Sequence, residues 1–126
     1  MKEILSAQEF GVLMEEFAPL DAAYDWDNSG YNIKCHEEIQ KILICRDVNL
    51  AVLQEAAEGG YDTILTHHPL LFHPLRRLVG SDPAQRIAAR CMIAGISLYA
   101  AHTNLDSADG GMSHALGCRL GLRDMR

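Results

Sequence analysis

Short apolar runs alternate with helical patterns along this chain. Three runs have the length and the β-branched or aromatic content of buried strands, and they cover residues 41–45, 62–66 and 96–100. Around and between them, apolar residues recur at helical spacing. Because strands that alternate with helices form parallel, right-handed β-α-β units, the order α-β-α-β-α-β-α predicts an α/β fold. We expect a single domain over residues 1–126, a layered α/β sandwich with a small, mostly parallel sheet flanked by helices.

The ends of the predicted helices carry recognisable start and stop residues. Ser6 and Glu9 form a capping box, and Pro19 stops the helix that they open. The other three helices are bounded by Asn49 and Gly59–Gly60, by Ser81–Pro83 and Gly95, and by Gly110–Gly111 and Gly121. The polar segment 25–31, which holds the only tryptophan, is expected to be a loop. A sheet of three strands leaves long edges that another element must cover.

Histidines and carboxylates follow the ends of two predicted strands. His67 and His68 come directly after the strand 62–66, and His102 and Asp106 follow the strand 96–100. In open α/β sheets ligands bind beyond the carboxyl ends of the strands. Neighbouring strands lie about 5 Å apart, so these side chains are expected to meet above one edge of the sheet. Imidazole with carboxylate suits zinc, manganese, iron or nickel, and oxygen-rich sites suit magnesium.

The paired histidines favour a site for two metal ions. Pro69 biases His68 towards an extended backbone, and in an extended chain neighbouring side chains point to opposite sides. We therefore expect His67 and His68 to hold different ions as terminal ligands, with Asp106 as a bridging or terminal carboxylate. His102 is expected to be an outer group or proton carrier.

Less specific interpretations stand beside this one. A His-His pair in a loop is commonly a solvated or capping pair, and Asp47 at the end of the first strand is either part of the same edge or a turn residue. Arg76–Arg77 is more simply a solvated charge pair than a phosphate site, and Trp26 is more simply a core residue than a stacking platform. The remaining histidines, expected to be ordinary surface or core residues, are His36, His73 and His114.

Composition limits the partners. The formal net charge is −6, which argues against nucleic acid or an anionic membrane as the main partner. No apolar run is long enough to span a bilayer, and the N-terminus lacks the apolar region of a signal peptide. The four cysteines form no C-x-x-C pair and are expected to be free thiols in a reducing, cytoplasmic compartment.

Three longer motifs resemble a known family. Residues 24–30, 64–72 and 99–106, followed by Gly110–Gly111, resemble in order and spacing the Nif-three-like family, also described as GTP cyclohydrolase I type 2 homologues or dinuclear metal-binding hydrolase-like proteins. Tyr31 stands where that family usually has leucine. The resemblance implies an α/β fold, a dinuclear metal centre and a ring-shaped hexamer built as a trimer of dimers.

The resemblance also assigns roles to residues of this chain. His67 and His68 fall on the family's paired histidine ligands, and Asp106 falls on its carboxylate ligand. His102 falls on a histidine that lines the same pocket. The family's biochemical role is itself poorly settled, between a GTP cyclohydrolase activity and protein interaction.

The chain departs from the family in length. Family members are considerably longer, and their C-terminal half supplies a further histidine and glutamate in a His-x-x-x-Glu motif. Here His114 is followed four residues later by Cys118. Three ligands cannot satisfy two ions that each need four or more. We expect a domain equivalent to the family's N-terminal half: a fragment, a split gene product, or a self-associating half whose partner completes the site and covers the bare sheet edge.

Two functions from different classes follow. The first is a metal-dependent hydrolase of the GTP cyclohydrolase I type 2 kind, which binds up to two divalent ions and acts on a nucleotide or related small molecule. The second is a non-catalytic half-domain that serves as an assembly or protein-interaction module. Both anticipate a homo-oligomer or a partner that supplies the missing half, and neither involves nucleic acid or a membrane.

Overall fold

The computed structural model describes residues 4–125. Within that range the strands are β1 (Leu5–Ser6), β2 (Gly30–Ile33), β3 (Glu38–Ile39), β4 (Ile42–Cys45), β5 (Thr63–Thr66) and β6 (Ser97–Ala100). The helices are α1 (Ala7–Phe17), α2 (Leu50–Glu58), α3 (Pro83–Ala94), α4 (Thr103–Ser107) and α5 (Met112–Arg119), and Leu20–Ala22 forms one 3-10 turn. The predicted α/β class is confirmed.

The helix boundaries follow the capping residues of the sequence. Ser6 and Glu9 form both hydrogen bonds of the capping box at the start of α1. The Asn49 side chain accepts a hydrogen bond from the backbone N–H of Val52 and so starts α2. Gly95 ends α3 in the left-handed region, with φ of 66°, a conformation that glycine adopts without strain.

The main sheet has four strands in the order β2-β6-β5-β4. The strands β4, β5 and β6 are parallel and in register, so that Cys45 lies opposite Thr66 and Thr66 lies opposite Ala100. This arrangement confirms the predicted β-α-β units. Because the three strands end at the same level, the residues that follow them emerge together at one edge of the sheet.

The fourth strand, β2, corrects the sequence prediction. Residues 30 and 31 were expected in a loop, but β2 pairs antiparallel with β6, with Gly30 opposite Ala100. It covers the edge of β6 that three strands alone would leave bare. The strand is only four residues long and lacks an apolar run, so its sequence carries no clear strand pattern. Packing fixes it instead, since the ring of Tyr31 lies edge-on to Tyr99, with centroids 5.0 Å apart.

The core lies on both faces of the sheet. Alternate residues of β6 point to opposite faces, and Leu98 packs with Ile64 and with buried residues of α2 and α3. Tyr99 packs on the other face, with Phe10 of α1 and with Ile39. The predicted layers of helix, sheet and helix are therefore present. None of the helices among residues 4–125 combines the length and apolar character needed to cross a membrane.

Candidate metal centre

Two strand ends carry the predicted site residues. His67 and His68 follow β5, and their backbone N–H groups donate to the carbonyls of Cys45 and Arg46 at 3.2 and 2.9 Å. On the other side, the N–H of Ala101 donates to the carbonyl of Thr66 at 2.9 Å, and His102 follows as the second residue beyond the end of β6. The ends of β4, β5 and β6 are therefore joined beyond the sheet, and the three imidazoles project from that joint.

The structure brings His67, His68 and His102 together. A ring nitrogen of each lies within 4.8 Å of the others, a spacing that allows one metal ion to bind all three. The ring centroids of His67 and His68 are 5.0 Å apart. The expectation that these neighbours face opposite sides of the chain is therefore wrong. That expectation assumed the side-chain alternation of an extended strand. The strand ends at Thr66 and both histidines lie in a bend, so the alternation does not apply to them.

Each of the three imidazoles is anchored through Nδ1 by an oxygen. His67 Nδ1 lies 2.8 Å from the carbonyl oxygen of Ala101. His68 Nδ1 lies 2.5 Å from Oδ1 of Asp47, and His102 Nδ1 lies 2.8 Å from Oδ1 of Asp27. Carbonyl and ionised carboxylate oxygens only accept hydrogen bonds, so Nδ1 is the donor in each ring. In the neutral ring Nε2 then keeps its lone pair, the form in which histidine binds metals.

Asp27 is the best-connected carboxylate of the site. Its side chain is wholly buried, and besides His102 it accepts hydrogen bonds from the Ser29 hydroxyl at 2.9 Å and the Thr103 backbone N–H at 3.1 Å. The Thr103 hydroxyl donates to the same carboxylate at 2.5 Å. Burial by itself would raise the pKa of Asp27, but the hydrogen bonds from His102, Thr103 and Ser29 together lower the pKa well below its usual range. Asp27 therefore stays ionised behind His102.

Asp47 holds His68 from the side of β4. Its Oδ2 accepts a hydrogen bond from Nε of Arg46 at 2.6 Å, while Oδ1 faces His68. Hydrogen bonds from His68 and Arg46 lower the pKa of Asp47. Of the two interpretations of Asp47, the structure shows the one in which it lies at the same sheet edge as the histidines. Sequence reasoning missed Asp27 as a site residue altogether, although it belongs to the motif 24–30.

Asp106 comes from α4, one turn after the N-terminal end of that helix. Its backbone N–H donates to the carbonyl of His102 at 3.0 Å, and its Oδ1 lies 3.6 Å from Nε2 of His67. The carboxylate therefore borders the histidine group. Three imidazoles with free Nε2 atoms and one adjacent carboxylate form a donor set that fits zinc, manganese, iron or nickel.

Aromatic side chains border the histidine group on one side. Trp26 was expected to be a core residue, and this is wrong, since 59% of it is exposed. Its ring stacks on Tyr24 with centroids 5.4 Å apart and lies edge-on to Phe72 at 5.9 Å and to His102 at 6.4 Å. The hydrogen bonds of Asp27 fix this loop to α4, and in that position the Trp26 ring lies at the surface and not in the core.

The fold and the site define a class: an α/β protein with a histidine and carboxylate cluster at the carboxyl edge of its sheet. The family model Duf34/NIF3 (NGG1p interacting factor 3) matches residues 5–126. The chain belongs to this family, as its three motifs indicate.

Relatives agree with this assignment over most of the chain. The GTP cyclohydrolase 1 type 2 homolog of Bacillus subtilis is 36% identical over 117 residues, which cover 92% of this chain and 31% of the relative. NIF3-like protein 1 of Drosophila melanogaster is 39% identical over 102 residues, 79% of this chain and 35% of that one. The crystal structure of a Bacillus cereus protein related to NIF3 superposes with a TM-score of 0.89 at 34% identity, over 97% of this chain and 34% of that one. The chain thus spans about a third of the length of these relatives.

Proposed function

We propose that this chain is a metal-binding domain with metal-dependent hydrolase activity towards a nucleotide or a related small molecule. The observation that carries the proposal is the common anchoring of His67, His68 and His102. Each ring has an oxygen on Nδ1, and a ring nitrogen of each lies within 4.8 Å of the others. Metal-ligating histidines typically have such an oxygen partner on the second ring nitrogen, because it fixes the tautomer and the ring orientation.

The residues divide into holding and proton-transfer roles. We assign His67, His68 and Asp106 to hold the metal, since Asp106 lies against His67. A divalent ion held here would supply Lewis acidity. His102, backed by the ionised Asp27, would take a proton from a water molecule in the site or return a proton to a leaving group.

The substrate is the least constrained part of the proposal. The name of the Bacillus subtilis relative, GTP cyclohydrolase 1 type 2 homolog, makes GTP the first compound to test. We expect purified chain that has been loaded with manganese or zinc to convert GTP, and both a chelator and Asp106→Ala to abolish the conversion. Asp109→Ala is the matched control, because Asp109 is an exposed aspartate three residues further along. Turnover that survives both the chelator and Asp106→Ala would contradict the proposal.

An interaction module remains the second candidate, and the exposed surface of α5 favours it. Leu116 on this helix, and Leu120 and Leu122 just beyond it, are 60%, 68% and 55% exposed. A cluster of exposed leucines typically marks a contact surface. We propose a homo-oligomer formed through it, with Leu116→Ser reducing the mass measured by light scattering and Val79→Ser, an exposed position elsewhere, leaving it unchanged. A strictly monomeric wild-type chain would contradict this candidate.

A further inference from the structure

We propose that Trp26 and Phe72 form a binding platform for a planar heteroaromatic ring beside the histidine group. The platform borders a cavity of about 460 Å³, which is also lined by Asn28, Leu71 and Leu75. Cavities of about 300–1,000 Å³ suit small-molecule ligands. The inference rests on the proposed function only for the reaction that would follow binding, and ring binding itself requires no metal.

The exposure of these aromatic residues is the first argument. Trp26 and Tyr24 are 59% and 61% exposed, and Phe72 is 37% exposed. Tyr24 covers one face of the Trp26 indole, because their rings are stacked at an angle of only 9°. The Phe72 ring meets the indole at 62°, so that the two rings form the walls of a notch. A flat aromatic ligand gains contact with both walls, whereas an aliphatic one cannot stack.

The rigidity of the loop is the second argument. The backbone N–H of Tyr24 donates to the Thr103 hydroxyl at 3.1 Å, and the N–H of Asp27 donates to the carbonyl of Tyr24 at 2.9 Å. The Asp27 carboxylate in turn accepts hydrogen bonds from the His102 ring and the Thr103 backbone N–H. The turn that carries Trp26 is therefore fixed to α4, and the indole is held in place before a ligand arrives. A binding surface that is already ordered loses little entropy on binding.

A polar group gives the platform chemical selectivity. The Asn28 side-chain amide donates its Nδ2 hydrogen to the carbonyl of Leu71 at 2.5 Å. Among the described residues no donor reaches the side-chain oxygen of Asn28, so that oxygen is free to accept a hydrogen bond from a ligand. A ring with N–H groups on its edge, such as a purine or a pterin, combines a stacking face with a hydrogen-bond donor for that oxygen. Because Trp26 lies 6.4 Å from His102, such a ring would lie next to the histidine group.

The single tryptophan provides a direct measurement. Trp26 is the only tryptophan of the chain, so tryptophan fluorescence, excited selectively over the four tyrosines, reports on this platform alone. We would titrate metal-free protein with guanosine, and with ribose as the probe that lacks a ring base. The platform predicts saturable quenching by guanosine and none by ribose. Phe72→Ala should weaken guanosine binding about 5- to 150-fold, the range expected when one stacking partner is lost.

Controls separate this inference from the metal proposal. Phe17→Ala removes a phenylalanine that is 53% exposed on α1 and should leave guanosine binding unchanged. His68→Ala should abolish metal binding but retain quenching, so that either idea can fail without the other. Linear, unsaturable quenching that is equal in wild type and Phe72→Ala would overturn the platform. So would an indole that acrylamide cannot reach in the purified protein, because the notch would then already be filled.

Discussion

Nδ1 of His102 donates a hydrogen bond to Oδ1 of Asp27 at 2.8 Å, although the two residues lie 75 positions apart in the sequence. This bond joins the loop before β2 to the segment after β6. It fixes the imidazole, keeps Nε2 free, and places the buried carboxylate behind the histidine group. The candidate metal centre is therefore built into the packing of the domain, and the central predictions follow from this bond.

Asp27→Asn should affect both stability and metal binding. The amide cannot accept all the hydrogen bonds that the carboxylate accepts, because its N–H₂ group would face either the His102 donor at Oδ1 or the Thr103 and Ser29 donors at Oδ2. We expect the free energy of unfolding to fall by about 1–3 kcal/mol. Metal affinity should also fall, because Asp27 fixes His102 beside the residues that hold the metal, and a loss of about 10- to 100-fold is usual when a group that supports a metal site is removed.

Denaturant unfolding and metal titration measure these two effects. Asp25→Asn is the control, because Asp25 is an exposed aspartate in the same motif. Equal stability and equal metal affinity for Asp27→Asn and wild type would show that the carboxylate does not support the site.

Tyr99→Phe should not destabilise the protein. The Tyr99 side chain is buried, and among the described residues its hydroxyl has no hydrogen-bond partner. Removing a buried, unpaired hydroxyl is expected to be neutral or to raise the free energy of unfolding by about 1 kcal/mol. The matched variant is Tyr31→Phe, which loses a hydrogen bond from the hydroxyl to the carbonyl of Ala7 at 3.0 Å. At neutral pH, denaturant midpoints should place Tyr99→Phe at or above wild type and Tyr31→Phe below it, and the reverse order would contradict the geometry.

The same tyrosine predicts how stability changes at high pH. Burial raises the pKa of Tyr99 from 10.0 to about 12. The unfolded chain loses the Tyr99 proton at a lower pH than the folded chain. The contribution of the protonated Tyr99 hydroxyl to the free energy of unfolding is therefore fully present below pH 10 and is lost as the pH rises to about 12. Wild type should therefore lose about 2–3 kcal/mol more than Tyr99→Phe over that interval. Parallel curves of unfolding free energy against pH would rule out this burial effect.

Gly111→Ala should disturb the segment that follows Asp106. A Cβ at this position would lie 1.9 Å from the carbonyl oxygen of Leu105 and 2.9 Å from that of Ala108, so the backbone would have to move. We expect a loss of about 1–3 kcal/mol in unfolding free energy, as for other overpacked positions.

Gly11→Ala is the control for this substitution, because a Cβ at Gly11, within α1, meets nothing within 4 Å. Alanine should stabilise that helix by up to about 1 kcal/mol. If both substitutions have the same effect on thermal unfolding, the close approach at Gly111 is not as the structure shows.

Local signals explain most of what the sequence predicts correctly. The capping box at Ser6, the Asn49 cap and the glycine at position 95 each act through neighbouring backbone atoms, so the sequence alone reveals them. The meeting of His67, His68 and His102 was also predictable, because parallel strands in register must deliver their next residues to one edge.

Long-range packing accounts for the features that the sequence did not reveal. The strand β2 forms because Tyr31 packs on Tyr99. Asp27 reaches His102 only after the sheet has brought the two segments together. The Trp26 side chain is exposed because the turn that carries it is fixed through Asp27, and the apolar character of tryptophan does not indicate this exposure. None of these three outcomes depends on nearby residues alone, so periodicity and capping rules could not find them.

The most direct test of the account is the metal content per chain, measured by elemental mass spectrometry after dialysis against zinc or manganese. Wild type and His68→Ala would be compared with His73→Ala, an exposed histidine outside the group of three. The account predicts at least one ion per chain in wild type and in His73→Ala, and a loss of that ion in His68→Ala. No metal above background in wild type, or equal metal in all three proteins, would contradict it.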